Sequence, residues 1–306
     1  MRLSEGRSPS QKLMRTPAMK KPRPKHNKAK PHVKLGKVLV IASGKGGVGK
    51  TTSTAALGAA LARIGKNVVV VDFDVGLRNL DLIMGAERRV VFDLINVIKG
   101  DAQLTQALIR DKRLDTLTLL PASQSCDKDS LTQDGVARVI NELRAKFDWV
   151  ICDSPAGIEK GATLAMRHAD IALVVVNPEV SSIRDADRIV GMLDSKTEKA
   201  ERGERVQKHL LITRYDSVRA QRGDTLTVED ALEILSIPLL GIIPESREVM
   251  RTSNIGEPVT VGSPDSAPGR AYLEAAKRLS SDSKGGVTVL TEKRSFFAKL
   301  FTKKAA

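Results

Sequence analysis

Seven short apolar runs punctuate the chain, at 38–42, 67–72, 116–120, 149–153, 171–177, 209–213 and 239–243. Each is rich in Val, Ile or Leu, too short for a helix, and continuous rather than alternating. Continuous runs suit strands buried on both faces of a mainly parallel sheet. Between them lie stretches with helical spacing of apolar positions, among them 49–64, 131–147, 182–195 and 227–235. This alternation predicts an α/β fold, a doubly wound, mainly parallel sheet in one domain over residues 36–281. No apolar run reaches the length needed to cross a bilayer.

The pattern is missing at the two ends. Residues 1–35 contain Pro9, Pro17, Pro22, Pro24 and Pro31 and many lysines, a composition that cannot bury enough surface to order itself. A disordered basic extension is expected there. It is open to three readings: an arm for anionic lipid or nucleic acid, a transit peptide, or a start codon placed upstream of Met14 or Met19. Charge follows the same division. Of the net +14, the first 36 residues hold eleven Lys/Arg against Glu5, so the body carries only about +4. The high pI therefore does not make the body a nucleic-acid binder. Two cysteines, Cys126 and Cys152, and four histidines build no metal or disulfide framework, and a reduced compartment fits.

Chemistry concentrates where the first run meets the first helical stretch. From Gly44 to Thr51 the spacing is G-x-x-x-x-G-K-T, a phosphate-cradling loop between strand and helix. Its backbone N–H groups (Gly44, Lys45, Gly46, Gly47, Val48, Gly49 and on to Thr52) and the helix N-terminus suit an anion. Lys50 would reach the β- and γ-phosphates, and Thr51 would ligate Mg²⁺. Gly44, Gly46 and Gly49 also spell a dinucleotide-binding G-x-G-x-x-G. Lys50-Thr51 decides against it, because a triphosphate with magnesium needs both residues and a dinucleotide turn needs neither.

Two further runs end in acids. The second ends Val71-Asp72-Phe73-Asp74, and a later one ends Ile151-Cys152-Asp153. In a parallel sheet both ends lie beside the phosphates. Asp74 is placed to orient a water for attack, and Asp72 to support the metal shell. Asp153 would hold Mg²⁺ through a water. Acids that merely cap a turn are the plainer reading of Asp72 and Asp74. Pro155 and Gly157 make a stiff turn with one free joint, suited to sensing the γ-phosphate. Lys45, a second lysine in the loop, is one that an ordinary phosphate loop does not need.

The sequence Lys45-Gly46-Gly47-Val48-Gly49-Lys50-Thr51-Thr52 resembles the deviant phosphate loop of the ParA/MinD ATPase family. The MinD branch is matched further by Asp72–Gly85, Glu87–Val91, Leu120–Gln124, Cys152–Glu159, Asn177–Ser182 and Leu211–Tyr215, over roughly residues 36–304. The resemblance implies an ATPase that pairs with a second copy when both hold ATP, Lys45 crossing to the partner's phosphates. It also implies placement of the division septum, through a MinC-like inhibitor recruited to the membrane and a MinE-like activator of hydrolysis. Thr213, Arg214, Pro244 and Glu245 would hold the adenine, and Arg78, Asp185 and Asp187 would bind partners. The alternative within the family is a ParA-like segregation factor with its basic arm on nucleoid DNA. Iron–sulfur carriers share the loop but need paired cysteines.

The other end carries the last signal. Over residues 293–304 a helix would place Phe296, Phe297, Leu300 and Phe301 within an arc of about 140°, with Lys299 and Lys303 towards the other side. An apolar face bracketed by cations and no acid suits an anchor lying on an anionic membrane better than a helix packed on the body. The expected organisation is an extension at 1–35, an ATPase domain at 36–281, a linker at 282–292 and a membrane helix at 293–306. The cytoplasm and the cytoplasmic face of the inner membrane follow, with the plastid stroma as the second choice.

Overall fold

Each apolar run becomes a strand of one eight-stranded sheet. The computed structural model describes residues 35–281 apart from 125 and 127. The basic extension up to residue 34, the linker 282–292 and the membrane segment 293–306, with Phe296, Phe297, Lys299, Leu300, Phe301 and Lys303, lie outside the described residues. The strands are β1 (Lys37–Ala42), β2 (Val68–Asp72), β3 (Ile109–Arg110), β4 (Leu117–Leu120), β5 (Trp149–Asp153), β6 (Ile171–Val176), β7 (Gln207–Tyr215) and β8 (Leu239–Pro244). Their order is β3-β4-β2-β5-β1-β6-β7-β8, parallel throughout except for β3 on β4. The antiparallel edge strand β3 is the one the sequence does not announce. It spans two residues, one buried and one exposed, and so leaves no apolar run.

The runs are continuous because both faces of the sheet are covered. Val38 and Val40 of β1 enter one core, and Leu39 and Ile41 enter the other. Helix α1 (Lys50–Arg63), with the helix Ala267–Ser281, covers the second of these faces. The helices Gln133–Lys146, Lys160–Arg167 and Val180–Ser195 cover the first. Each Val or Leu fully removed from water contributes roughly 1.5–3 kcal/mol.

α1 is buried on nearly every side, from Ser53 to Ala62. Its small residues permit this. A Cβ on Gly58 would lie 2.6 Å from Val70 Cγ1, so glycine lets the helix axis settle onto β2. The chain rises along β1, returns through α1 and rises again along β2, leaving β5 to fill the space between the two strands. β1 thus stands between β5 and β6, where the strand order switches direction, and the carboxyl ends of β2, β5, β1, β6 and β7 form one rim. Ligands bind at such a rim in open α/β sheets.

Candidate nucleotide site

The loop from Ser43 to Gly49 joins β1 to α1. Gly47 and Gly49 have φ of 75° and 94°, left-handed backbone that favours glycine, and no side chain caps α1 behind Gly49. The first-turn N–H groups of α1 therefore face the loop with the positive end of the helix behind them. Where a Cβ of Gly46 or Gly47 would stand, the space is open. Gly44 has a reason invisible in the spacing. A Cβ there would lie 2.4 Å from the backbone of Asp185, so the helix Val180–Ser195 presses against the loop. Gly157, with φ 86°, donates its N–H to Ser43 O at 3.1 Å and ties the loop after β5 to the phosphate loop.

Lys50 curls back over the loop. Its Nζ donates to Ser43 Oγ at 2.9 Å, and Ser43 Oγ donates to Lys45 O at 2.7 Å. Burial holds the Lys50 ammonium below its ordinary pKa, opposed by the nearby Asp153 and Asp74 carboxylates.

β2 and β5 run in register and end with Asp72 beside Asp153, both fully buried. Asp72 accepts the Asp74 N–H at 2.8 Å and the Leu80 N–H at 3.3 Å. Asp153 accepts the Thr54 hydroxyl at 3.0 Å and a hydroxyl bond from Thr51. Burial, then the Asp153 charge, pushes Asp72 well above the usual carboxylate range. Burial also pushes Asp153 up to about 6, against the pull of Thr51, Lys50 and Thr54. Two dry carboxylates side by side are poorly compensated by one lysine. The oxygen-only donor set of Thr51, Asp153 and Asp72 fits a small hard cation completed by phosphate and water. Among the described residues no group of three or more His, Cys, Asp or Glu could hold a metal unaided. Half-buried Asp74 begins the turn after β2, and its field reaches Lys50, Asp72 and Asp153.

Lys45 turns the other way. Its Nζ lies 2.8 Å from Glu179 Oε2 and 3.1 Å from Ser181 Oγ, at the start of the helix Val180–Ser195. The Lys45 ammonium, by hydrogen bond first, holds the Glu179 carboxyl below its usual range. Sequence reasoning missed Ser43, Glu179 and Ser181 as parts of this site. The polar string Asn177-Pro178-Glu179 at a strand end was the signal available for Glu179.

The sequence profile of the CobQ/CobB/MinD/ParA nucleotide binding domain matches residues 39–259. The septum site-determining protein MinD of Escherichia coli K12 is 54% identical over 269 residues, 87% of this chain and 99% of that protein. The chain belongs to the MinD family. Among solved structures, MinD in the MinC:MinD cell division complex of Aquifex aeolicus is 42% identical. It matches with a TM-score of 0.70 over 80% of this chain and 96% of its own. MinD of Pyrococcus horikoshii, solved with Mg-ADP, is 29% identical at a TM-score of 0.72, over 82% of this chain and 98% of its own.

The residues assigned to adenine by resemblance to MinD come together at the ends of β7 and β8. Tyr215 pairs with Pro244, and the Glu245 N–H donates to Tyr215 O at 3.0 Å. Exposed Arg214 has φ 50° at an irregularity of β7. Thr213 is buried, its hydroxyl 2.6 Å from Val48 O and 3.1 Å from Val176 O, so it anchors the phosphate loop to β6 and β7. Of the residues assigned to MinD partners, Asp187 is exposed, Asp185 is half-buried against Gly44, and Arg78 is turned inward. The Arg78 guanidinium meets buried Asp81 at 2.6 Å and Glu87 O at 3.2 Å. Its φ of 46° shapes the turn after β2.

Proposed function

We propose that this MinD-family chain is an ATP-driven membrane switch that places the division septum. One observation carries the reading. Lys50, Thr51 and Asp153 are gathered at the N-terminus of α1, with Asp72 in register beside Asp153. That set suits a nucleoside triphosphate and its magnesium, as the Mg-ADP of the Pyrococcus relative supports. The backbone from Gly44 to Thr52 cradles the phosphates, and Lys50 exchanges Ser43 for phosphate oxygens. Thr51 and Asp153, with Asp72 behind them, would hold the magnesium, which would supply positive charge to the phosphate oxygens. Asp74 orients a water, whose oxygen bonds to the γ-phosphorus as the bridge to the β-phosphate breaks, releasing ADP and phosphate. Positioning and charge do the work, without a covalent intermediate.

Lys45 completes the site of a second ATP-bound copy. To reach it, Lys45 leaves Glu179 and Ser181 of its own chain. The tail at 293–306, joined to the 36–281 domain by the 282–292 linker, lays Phe296, Phe297, Leu300 and Phe301 into the anionic cytoplasmic face of the inner membrane. Lys299 and Lys303 stay near the headgroups. One such anchor binds weakly; two in a dimer gain about 10²-fold or more through effective concentration. The membrane-bound dimer recruits a MinC-like inhibitor, a reading supported by the Aquifex MinC:MinD complex, and a MinE-like activator releases it by stimulating hydrolysis. Among the described residues no helix is long and apolar enough to cross a membrane. Sedimentation with anionic liposomes tests the switch. Binding should need both ATP and residues 293–306, and binding indifferent to nucleotide would overturn it.

A further inference from the structure

Asn177 stands at the end of β6, one residue past the strand and 8% exposed. Its Nδ2 donates to Glu179 Oε1 at 2.6 Å, while Lys45 holds the other oxygen of the same carboxylate at 2.8 Å. The backbone that carries the amide is itself held in place. The Asn177 backbone N–H donates to buried Ser182 Oγ at 3.2 Å, and its carbonyl accepts the Glu179 N–H at 2.7 Å. The bond to Glu179 fixes which side-chain atom is nitrogen, and that leaves Oδ1 shielded from solvent without a partner. A buried acceptor with no donor destabilises a fold, and a leucine would fill similar space without that cost. What asparagine supplies here is its donor. Glu179 needs it, because a carboxylate 49% exposed would otherwise be free to swing between rotamers.

We infer that Asn177 is a positioning residue: by clamping one oxygen of Glu179 it presents the other to Lys45 and sets how firmly Lys45 is held within its own chain. The inference rests on the reading of Lys45 as a residue that crosses to a second copy. Pairing of two ATP-bound chains must draw Lys45 away from Glu179, so the strength of that hold enters the ATP concentration at which they pair. Asn177 acts on this balance without touching nucleotide. It also keeps Glu179 in place while Lys45 is away, so that the lysine returns to the same carboxylate.

The test uses the full chain with Mg-ADP and an amine-selective acetylating reagent. Acetylation of Lys45 is read by peptide mass against Lys277, which pairs with Glu274 on the helix Ala267–Ser281. The ATP concentration for half-maximal pairing is read by light scattering, and Tm is recorded alongside. Asn177→Leu should raise Lys45 labelling about threefold to tenfold and lower the ATP midpoint by a similar factor. Its Tm should stay level or rise, because the orphaned acceptor is gone. Asn177→Asp, nearly the same shape with no donor to Glu179, should also free Lys45. A merely structural asparagine would give the opposite pattern, with a lower Tm in Asn177→Leu and unchanged labelling. Unchanged labelling and midpoint in either folded variant overturn the inference. Glu179→Gln and Lys45→Ala separate the causes. If Glu179→Gln leaves labelling unchanged, Glu179 is not what holds the lysine, and the inference falls with it. If Lys45→Ala still pairs with ATP, the crossing role fails instead, whatever the labelling shows.

Discussion

Asp153 is asked to be buried and charged at once, and its pH response follows from that conflict. With its folded pKa raised to about 6 by burial, the folded chain holds more protons than the unfolded one from about pH 4 to above 6. Stability from this group therefore falls as pH rises through that window, and magnesium held as proposed would offset the loss above it. The Tm gained by adding Mg²⁺ to the ADP-bound chain should grow from pH 5.5 to 7.5, and Asp153→Asn should flatten that growth, as thermal melts across the range would reveal. Asp74 adjoins the buried pair but is itself half-buried, at the start of a turn. Asp74→Asn should keep nucleotide affinity within about twofold and lower kcat by about 10²–10³-fold, measured by phosphate release and equilibrium titration. Equal losses in binding and turnover would instead make Asp74 a nucleotide ligand. That Lys50, Thr51, Asp72, Asp74 and Asp153 meet at one end of the sheet was legible, because the loop spacing and the acids closing two parallel strands both mark that end. Glu179 and Asn177 were not, because their roles come from a contact across more than a hundred residues of chain.

At the scale of elements, α1 shows how tightly the loop is held from behind. The helix lies against β2 through Gly58, whose hypothetical Cβ meets Val70 Cγ1 at 2.6 Å. Gly58→Ala gains up to about 1 kcal/mol of helix propensity and loses roughly 1–3 kcal/mol to overpacking. A net fall in Tm of about 3–6 °C is expected by calorimetry, and an unchanged Tm would mean that α1 shifts freely on the sheet. Strands were readable because each sends alternate residues into two cores, so the run stays apolar throughout. β3 was not, since two edge residues carry no period. Helix boundaries moved by a residue or two where the preceding turn decided them. The expected stretch 182–195 begins at Val180, after the turn made by Asn177 and Glu179. Gly44 is a further case. Its spacing announces a phosphate loop, yet the contact that forbids a side chain there is the backbone of Asp185, in a helix more than a hundred residues further along the chain.

For the whole molecule the open question is how nucleotide state becomes position in the cell. Phe297→Glu puts a charge into the proposed anchor and should reduce ATP-dependent liposome binding by tenfold or more, on the order of the 2.5–3.5 kcal/mol charged side chains lose in an apolar environment. Hydrolysis in solution should be unchanged, and liposome binding that survives the substitution would remove the tail as anchor. DNA retained at physiological salt in the absence of residues 293–306 would instead favour the ParA-like alternative. The linear chain was sufficient for the class of fold, the phosphate loop, the acids at the strand ends and the family. These rest on local chemistry and on hydrophobic period, both of which are written residue by residue. Only the folded chain decided that Asp72 and Asp153 stand in register, that Arg78 turns inward onto Asp81, and that Lys45 rests on Glu179 steadied by Asn177. Those depend on which strands become neighbours and which helices press on the loop, and contacts between distant segments leave no period along the chain.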